Sequence, residues 1–245
     1  MHQYQPRSYR HWIKDKDLVS FTVVAKESDL YVRATRKLSR KTLKVLLKYR
    51  ASLEGYIERC PQFLTSLEPV AVGEDAPQIV RAMAEAADKV DVGPMAAVAG
   101  AIAEYVGKEL LPLSQEVIVE NGGDIFLKIM KARAIGVYAG ESSPFTGKIG
   151  LDISPEDTPL GICTSSATVG HSLSLGSADA CIVLSRSTLL ADAAATAIGN
   201  LIGYADDIPR GIDFARSVEG IKGVLIIKDD RIGIWGDVKV VTFGG

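Results

Sequence analysis

The sequence predicts an α+β fold, in which helices and strands form separate groups along the chain instead of alternating strictly. Three observations support this prediction: an early hairpin followed by helices, a long series of short apolar runs, and a late helical group followed by further strands. The chain has 245 residues, of which 47% are hydrophobic and 24% charged, as in ordinary globular proteins. We therefore expect one domain over residues 1–245, which two related subdomains of about 1–115 and 116–245 could share.

The first half predicts a hairpin and three helices. Residues 19–25 and 30–34 alternate between apolar and polar side chains, as two strands joined by a polar turn would. From Ser39 to Arg59 five apolar residues recur at helical spacing and predict the buried stripe of a helix: Leu43, Leu46, Leu47, Leu53 and Ile57. Ser39 is placed to cap this helix, and Pro61 ends the pattern. Two more helices are predicted, each entered through a proline that the first helical turn tolerates: Pro77 to Val90 and Pro94 to Leu110.

The second half predicts mainly strands. Six short apolar runs have strand length: residues 116–120, 125–129, 134–138, 148–153, 160–164 and 181–184. Helices are predicted over residues 187–204 and 209–218. A hairpin turning at Asp229-Asp230 and a final strand at 238–242 complete the chain.

Composition limits the classes of function. Lys and Arg total 28 and Asp and Glu total 30, so the whole molecule carries no field that would recruit nucleic acid or an anionic membrane. The three cysteines, Cys60, Cys163 and Cys181, form no metal-binding pair, and their odd number argues against a disulfide framework. Because the sequence shows neither a secretory signal nor an apolar run of membrane length, we expect a cytoplasmic protein.

The helix over residues 187–204 contains one carboxylate in an otherwise alanine-rich, apolar segment. Asp192 and Thr196 are four residues apart, so their oxygens lie on one face of the helix. Burying a carboxylate costs free energy unless a cation neutralises it or several hydrogen-bond donors contact it. No basic residue lies within the next turns of this helix. Asp192 and Thr196 are therefore candidate metal ligands.

Two further segments carry polar groups between apolar runs. In Asn121-Gly122-Gly123-Asp124, the glycines suit a tight hairpin turn, and equally suit a backbone that a phosphate or flavin approaches closely. The second segment is rich in hydroxyl groups, which donate well to phosphate oxygens, and is followed by a histidine. Its members are Thr164, Ser165, Ser166, Thr168 and His171. An ordinary turn and a structural histidine are the alternative interpretations.

A basic stretch runs from Arg33 to Arg50 without an acidic residue. Such a stretch could dock an acidic or nucleic-acid partner, particularly through the helix at residues 39–50. Because the lysines lie opposite the leucines of an amphipathic helix and only Tyr49 could stack on a base, a solvated outer face is favoured.

Taken in order, four segments resemble the ApbE-type flavin transferase superfamily, and more closely a shorter branch of ApbE-like proteins. They are GPMAAVAGAIAEYV, ENGGDI, TSS followed by a histidine, and LADAAATAIGN, between about Gly93 and Asn200. The resemblance implies two α+β subdomains with a flavin nucleotide in the cleft, and the parent family cuts FAD with magnesium and transfers FMN to a protein hydroxyl.

By that resemblance Asp192 and Thr196 would hold Mg²⁺. Asn121, Gly122 and Gly123 would border FAD or FMN, together with Thr164, Ser165, Ser166 and Thr168. His171 or Asp124 would move a proton, giving a magnesium-dependent FMN transferase or an FAD pyrophosphatase-like enzyme.

The chain departs from the parent pattern in the substrate-gripping parts. Small apolar residues from Pro94 to Gly100 replace a lysine-glycine pair and an aspartate of the parent family, and Ser174 and Leu175 replace an aspartate and a proline. A non-catalytic flavin or nucleotide carrier or sensor is therefore the main alternative to an enzyme. Small-residue-rich apolar helices also allow a homodimer.

Overall fold

The structure, a computed structural model, describes residues 17–166 and 176–243, and these residues form three layers. The middle layer is an eight-stranded antiparallel sheet in the order β1-β2-β3-β4-β7-β8-β9-β10. Helices cover one face of this large sheet, and a small three-stranded sheet in the order β11-β6-β5 covers part of the other. The α+β class predicted from the sequence is confirmed.

The strands match the predicted runs to within a few residues. Those of the large sheet are β1 (Val19–Ala25), β2 (Ser28–Ala34), β3 (Val117–Asn121), β4 (Asp124–Lys128), β7 (Leu160–Ser165), β8 (Ala180–Ser185), β9 (Ile221–Lys228) and β10 (Arg231–Gly236). The small sheet consists of β5 (Arg133–Gly136), β6 (Ile149–Ile153) and β11 (Val240–Thr242). Strands from both predicted halves pair in the large sheet, and the division into subdomains near residue 115 stays a prediction.

Six α-helices occur within the described residues. They are α1 (Ser39–Arg59), α2 (Gln62–Thr65), α3 (Gln78–Asp88), α4 (Val98–Leu110), α5 (Thr188–Asn200) and α6 (Ile208–Ser217). A 3-10 turn at Pro94–Ala97 leads into α4. The predicted helices are confirmed, and the short α2, which carries too little periodicity to predict, is added to them.

Two details of α1 were predicted wrongly. Leu38 occupies the N-cap position and no side chain caps the helix, so Ser39 is its first residue instead of its cap. Leu43 and Leu47 are 39% and 50% exposed, whereas Val45 and Leu46 are buried. The apolar stripe was misplaced because leucines occur on both the inner and the outer face of this helix.

The two faces of the large sheet support separate apolar cores. Alternate residues of each strand point to opposite faces, so Val119, Phe126 and Cys163 pack against the helices. Their neighbours Ile118, Leu127 and Ile162 pack toward the small sheet. The central strand β8 is buried along its whole length because both of its faces are covered.

Candidate functional site

Antiparallel pairing brings the glycine turn and the hydroxyl-rich segment together. Strand β4 pairs with β7 so that Ile125 lies opposite Ile162, which places the start of β4 beside the end of β7. The backbone N–H of Thr164 donates to the Asp124 carboxylate over 3.2 Å, 40 residues away in sequence. Two of the predicted site segments therefore meet at one end of the large sheet, which we call the turn end.

The Asn121-Gly122-Gly123-Asp124 segment forms a two-residue hairpin loop, because Asn121 pairs directly with Asp124. Gly122 and Gly123 have φ angles of +69° and +107°. The hairpin loops that join β1 to β2 and β9 to β10 also contain two residues, and their first positions are Lys26 and Asp229, with φ of +52° and +57°. At the first position this protein therefore tolerates side chains, and the backbone angle alone does not demand glycine at position 122.

Alternation along β7 divides the three predicted hydroxyls between the two faces of the sheet. Thr164 and Ser166 line a cleft on the face toward the small sheet. The Ser166 hydroxyl also donates to the carbonyl of Asp179 over 2.7 Å. Ser165 is buried on the helical face, where its hydroxyl lies close to Gly199 of α5. The sequence grouped these residues, but only two of them share a face.

Asp192 lies on the helical face at the turn end, and its carboxylate accepts a hydrogen bond from the N-terminus of a helix. The Gly100 N–H, in the first turn of α4, donates to one carboxylate oxygen over 2.8 Å. Asn121 fixes the same turn by donating from its side-chain amide to the Ala99 carbonyl over 3.1 Å. The isolated carboxylate in an apolar helix predicted a cation or hydrogen-bond donors beside it, and the structure supplies a donor from a residue 92 positions away.

The neighbourhood of Asp192 is electrostatically unusual. Burial raises the pKa of the Asp192 carboxyl well above its usual range, the nearby Asp124 carboxylate raises it further, and the Gly100 and Ala99 N–H groups act against both. Burial and the same two carboxylates raise the pKa of the Cys163 thiol, which accordingly stays protonated and unreactive near neutral pH. Two acidic side chains thus face each other where water screens them poorly.

A polar stripe continues along α5 from Asp192. Asp192, Thr196 and Asn200 are the partly exposed residues at four-residue intervals in a helix whose other residues, Thr188 excepted, are apolar or glycine and buried. Within residues 17–166 and 176–243, no group of three or more His, Cys, Asp and Glu side chains is placed to hold a metal ion. Among the described residues, the oxygen-bearing side chains available to a cation at this end are those of Asp192, Asp124 and Thr196.

The cleft on the opposite face has a volume of about 110 Å³ and opens at the same end of the sheet. Its floor consists of Ile125, Ile162 and Ile182, which come from three neighbouring strands, β4, β7 and β8. The facing wall is formed by residues of β5 and β6 and of the segment that follows β5: Ile135, Gly136, Val137, Tyr138 and Leu151. Gly122 and Gly123 lie at its rim, so the turn borders both faces.

Polar residues of β2 and β3 that line the cleft were not predicted as site residues. Tyr31 and Arg33 of β2 and Glu120 of β3 line the cleft. The sequence signal that could have identified them is alternation. Leu30, Val32 and Ala34 of β2 are fully buried against the helices, so the residues between them point to the other face of the sheet. Alternation identifies the second face of a strand but does not show whether solvent or another layer covers it. Arg33 was consequently grouped with the basic stretch of residues 33–50.

The remaining predicted residues are not joined to this site by the structure. Thr168 and His171 lie outside the described residues, so their roles stay predictions. In the basic stretch, Lys41 and Lys48 pair with Glu109, and Arg50 pairs with Glu27 and Glu54. These pairs neutralise part of the charge that a partner of helix 39–50 would need, and that interaction also stays a prediction.

Comparison of the sequence with known families and proteins identifies relatives over most of the chain. The model of the family described as AbpE bacteria matches residues 10–217. A UPF0280 protein of Methanocaldococcus jannaschii is 44% identical over 222 residues, which cover 88% of this chain and 90% of that protein. A UPF0280 protein of Methanopyrus kandleri is 39% identical over 93% of this chain and 95% of its own length.

Solved structures with a similar fold are more distant in sequence. The apo form of the flavinyl transferase ApbE of Pseudomonas stutzeri superposes with a TM-score of 0.57 at 15% identity, covering 89% of this chain and 94% of that one. A variant of the flavin transferase ApbE of Vibrio cholerae gives a TM-score of 0.60 at 14% identity, covering 89% and 97%. These structures share the fold.

None of the helices in the described part of the chain is long and apolar enough to span a membrane.

Proposed function

Because the chain belongs to the family described as AbpE bacteria, we propose that it binds a flavin nucleotide, FAD or FMN, together with a divalent cation at the turn end of the large sheet. The observation that carries this proposal is the convergence there of the Gly122-Gly123 turn, the end of β7, the buried Asp124 carboxylate and the partly exposed Asp192 carboxylate. Proteins of the same fold are named flavin transferases, which makes a flavin nucleotide the first phosphate-bearing ligand to test.

The donor set at this end fits a hard divalent cation. Asp192 would offer a carboxylate oxygen, Thr196 a hydroxyl one turn further along the stripe, and Asp124 a second carboxylate. Mg²⁺ typically binds through one or two carboxylates and completes its coordination with water and substrate phosphates. When bound, such an ion would neutralise a pyrophosphate and polarise it as a Lewis acid.

The chain's own residues would bind and orient the nucleotide. The Gly122-Gly123 loop presents backbone without side chains, so a phosphate can approach it closely. The Thr164 hydroxyl faces the cleft as a neutral donor. Asp124 is held by the Thr164 N–H and, with His171, is a candidate to accept or return a proton.

A protein that binds a flavin nucleotide here would act either as an enzyme that cleaves it or as a carrier or sensor that leaves it intact. One observation favours each alternative. The carboxylate pair and the stripe on α5 favour metal-assisted cleavage of FAD. The segment Pro94–Ala97, which precedes α4, offers only apolar side chains where substrate-binding charges would be expected, and this favours a carrier or sensor. Incubation with FAD and Mg²⁺ followed by chromatography separates them: release of AMP identifies an enzyme, whereas tight binding of intact FAD identifies a carrier.

The binding proposal is tested by titrating FAD into the purified protein with Mg²⁺ and with EDTA, for the wild type and Asp192→Asn. Asparagine can still accept from the Gly100 N–H but is a much weaker ligand for Mg²⁺. We expect FAD affinity to rise with Mg²⁺ in the wild type and to lose that dependence in the variant.

Glu104→Gln is the matched control, because the Glu104 carboxylate also accepts from the start of a helix, in this case from the Thr188 N–H of α5. It should leave the magnesium dependence intact. If EDTA does not change the FAD affinity of the wild type, and Asp192→Asn binds FAD as tightly as the wild type does, the cation proposal is wrong. If neither FAD nor FMN binds under any condition, the flavin proposal is wrong.

A further inference from the structure

The outer face of helix α1 combines exposed apolar and charged side chains in one line. Leu47 and Ala51 are exposed and lie one turn apart, and Leu43 precedes them by a further turn at the border of the same face. Val45 and Leu46 on the opposite side pack into the core. We call the exposed line the outer stripe, and its members are Arg40, Leu43, Lys44, Leu47, Ala51 and Glu58.

The charges of the outer stripe are divided between its ends. Arg40 and Lys44 lie in the first half of α1, and Glu58 lies in its last turn. All three side chains are exposed, and none of them forms an ion pair with another described residue. The neighbouring Lys48 differs, because it pairs with Glu109 of α4 over 2.9 Å. The outer stripe is therefore positive at one end, negative at the other, and unneutralised at both.

This order of charges is the reverse of the one that an isolated helix favours. Negative side chains stabilise the start of a helix and positive side chains its end. The first turn of α1 contains Arg40 and no acidic residue, and the last turn contains Glu58. Arg59 has the favourable sign, but successive side chains point about 100° apart around a helix, so it lies off the stripe. A second helix running in the opposite direction alongside α1 would correct both ends.

We propose that two copies of this chain pair through the outer stripe of α1, with the two helices antiparallel and a two-fold axis near Ala51. Lys44 and Glu58 are each seven residues from Ala51, which is about 10.5 Å along the helix. An axis at Ala51 therefore sets Lys44 of one copy beside Glu58 of the second copy. The symmetry makes the same contact twice.

The apolar part of the outer stripe fits the centre of this interface. Ala51 has only a methyl group beyond its backbone, so the two helix axes can approach to about 8 Å where they cross. Leu47 of each copy then packs beside Ala51 of the second copy and loses its contact with water. A parallel pair would instead set Lys44 beside Lys44 and Glu58 beside Glu58, and this repulsion excludes it.

A second copy fits the outer stripe better than an anionic partner does. A nucleic acid or an anionic membrane would engage Arg40 and Lys44, but Glu58 on the same stripe would repel it. A copy of the chain matches the positive and the negative end together. No residue of the outer stripe belongs to the turn end, so the pairing does not depend on flavin or cation binding.

The experiment measures the molecular mass of the full chain by sedimentation equilibrium. Concentrations from about 10 μM to about 1 mM cover the range in which a weak surface contact associates. We expect a monomer–dimer equilibrium that shifts toward the monomer in high salt, because the contacts at both ends are ionic. A monomer at every concentration would overturn the proposal.

A charge exchange identifies the interface. Lys44→Glu and Glu58→Lys, made separately, should each weaken the dimer about tenfold, since each replaces two attractions by two repulsions. The double variant, Lys44→Glu with Glu58→Lys, should restore the wild-type dissociation constant. Arg210→Glu is the matched control, an exposed cation of a different helix, α6, and should leave the dimer unchanged.

Ala51→Arg tests the position of the axis. Each introduced guanidinium would meet its own counterpart at the two-fold axis, so the dimer should be lost, while circular dichroism shows the helices intact because position 51 is exposed. A dimer that survives Ala51→Arg, or that is weakened by both single charge reversals but not restored by the double variant, would overturn the antiparallel pairing.

Discussion

Two acidic side chains on neighbouring helices have the same structural task and opposite surroundings. Asp192 of α5 accepts from the first turn of α4, and Glu104 of α4 accepts from the first residue of α5. Glu104 also pairs with Lys108 over 2.6 Å, whereas Asp192 has another carboxylate, Asp124, as its charged neighbour. Glu104 has a cation beside it, whereas Asp192 has a carboxylate in that place. This contrast is why we place a site at Asp192 and none at Glu104.

The largest effect on stability is expected from Glu104→Ala. The substitution leaves the Thr188 N–H buried without its acceptor and removes a charge from the start of α5, so the free energy of unfolding should fall by about 3 kcal/mol. Chemical denaturation followed by circular dichroism measures the change. A loss no larger than that of Asp192→Asn would contradict the distinction between the two carboxylates.

Gly100→Ala should have the next largest effect. A Cβ at position 100 would lie 2.4 Å from the Thr188 carbonyl oxygen and 2.8 Å from the Asp192 Cβ, so α4 and α5 would have to separate. We expect a loss of about 2 kcal/mol from this overpacking, measured by the same denaturation experiment. Gly55→Ala, at a helical position with open space, is the control and should not destabilise the protein.

Asp192→Asn should cost at most about 1 kcal/mol at neutral pH, since the asparagine oxygen still accepts from Gly100 and the repulsion with Asp124 disappears. The pH dependence is more telling than the size. Because the folded-state pKa of Asp192 lies above its unfolded value, its contribution to stability is fully present below the unfolded pKa and is lost as pH rises through the folded pKa.

Denaturation of both proteins across the acidic range measures this dependence. The wild type should lose stability relative to Asp192→Asn as pH rises, and Mg²⁺ should restore it in the wild type only. Parallel curves for the two proteins would show that Asp192 is not under electrostatic strain.

The smallest effect on stability is expected from Gly122→Asn. It creates an Asn-Gly hairpin loop at a φ of +69°, which asparagine tolerates, so stability should change by no more than about 0.5 kcal/mol. The new side chain at the turn end should nevertheless weaken FAD binding. Unchanged affinity in a titration, with Lys26→Asn at the equivalent position of the first hairpin as control, would remove the turn from the site.

Local signals in the sequence were enough to predict most of the elements. Prolines and glycines bound the helices and hairpins, and β-strands of five or six residues follow from short apolar runs between polar turns. Leu43 and Leu47 were misjudged because periodicity alone does not tell which leucines a helix buries. The α+β class followed from the grouping of elements.

The candidate site was only partly predictable. The turn at residues 121–124 and the stripe on α5 were visible as local patterns. That Gly100 would cap Asp192, and that Tyr31 and Arg33 would line a cleft, depends on pairings between distant segments that no local pattern records. Ser165 was grouped with Thr164 and Ser166 because adjacency in sequence conceals the opposite orientation of neighbouring side chains in a strand.

The exchange of caps between α4 and α5 has a consequence for how this part of the molecule opens. Fraying at the start of either helix withdraws an N–H donor from a carboxylate of the other helix, so amide protons at both starts should become accessible to solvent in a single shared fluctuation. A molecule bound at the turn end would then slow deuterium uptake at the start of both helices, including the start of α5, which its contacts do not reach.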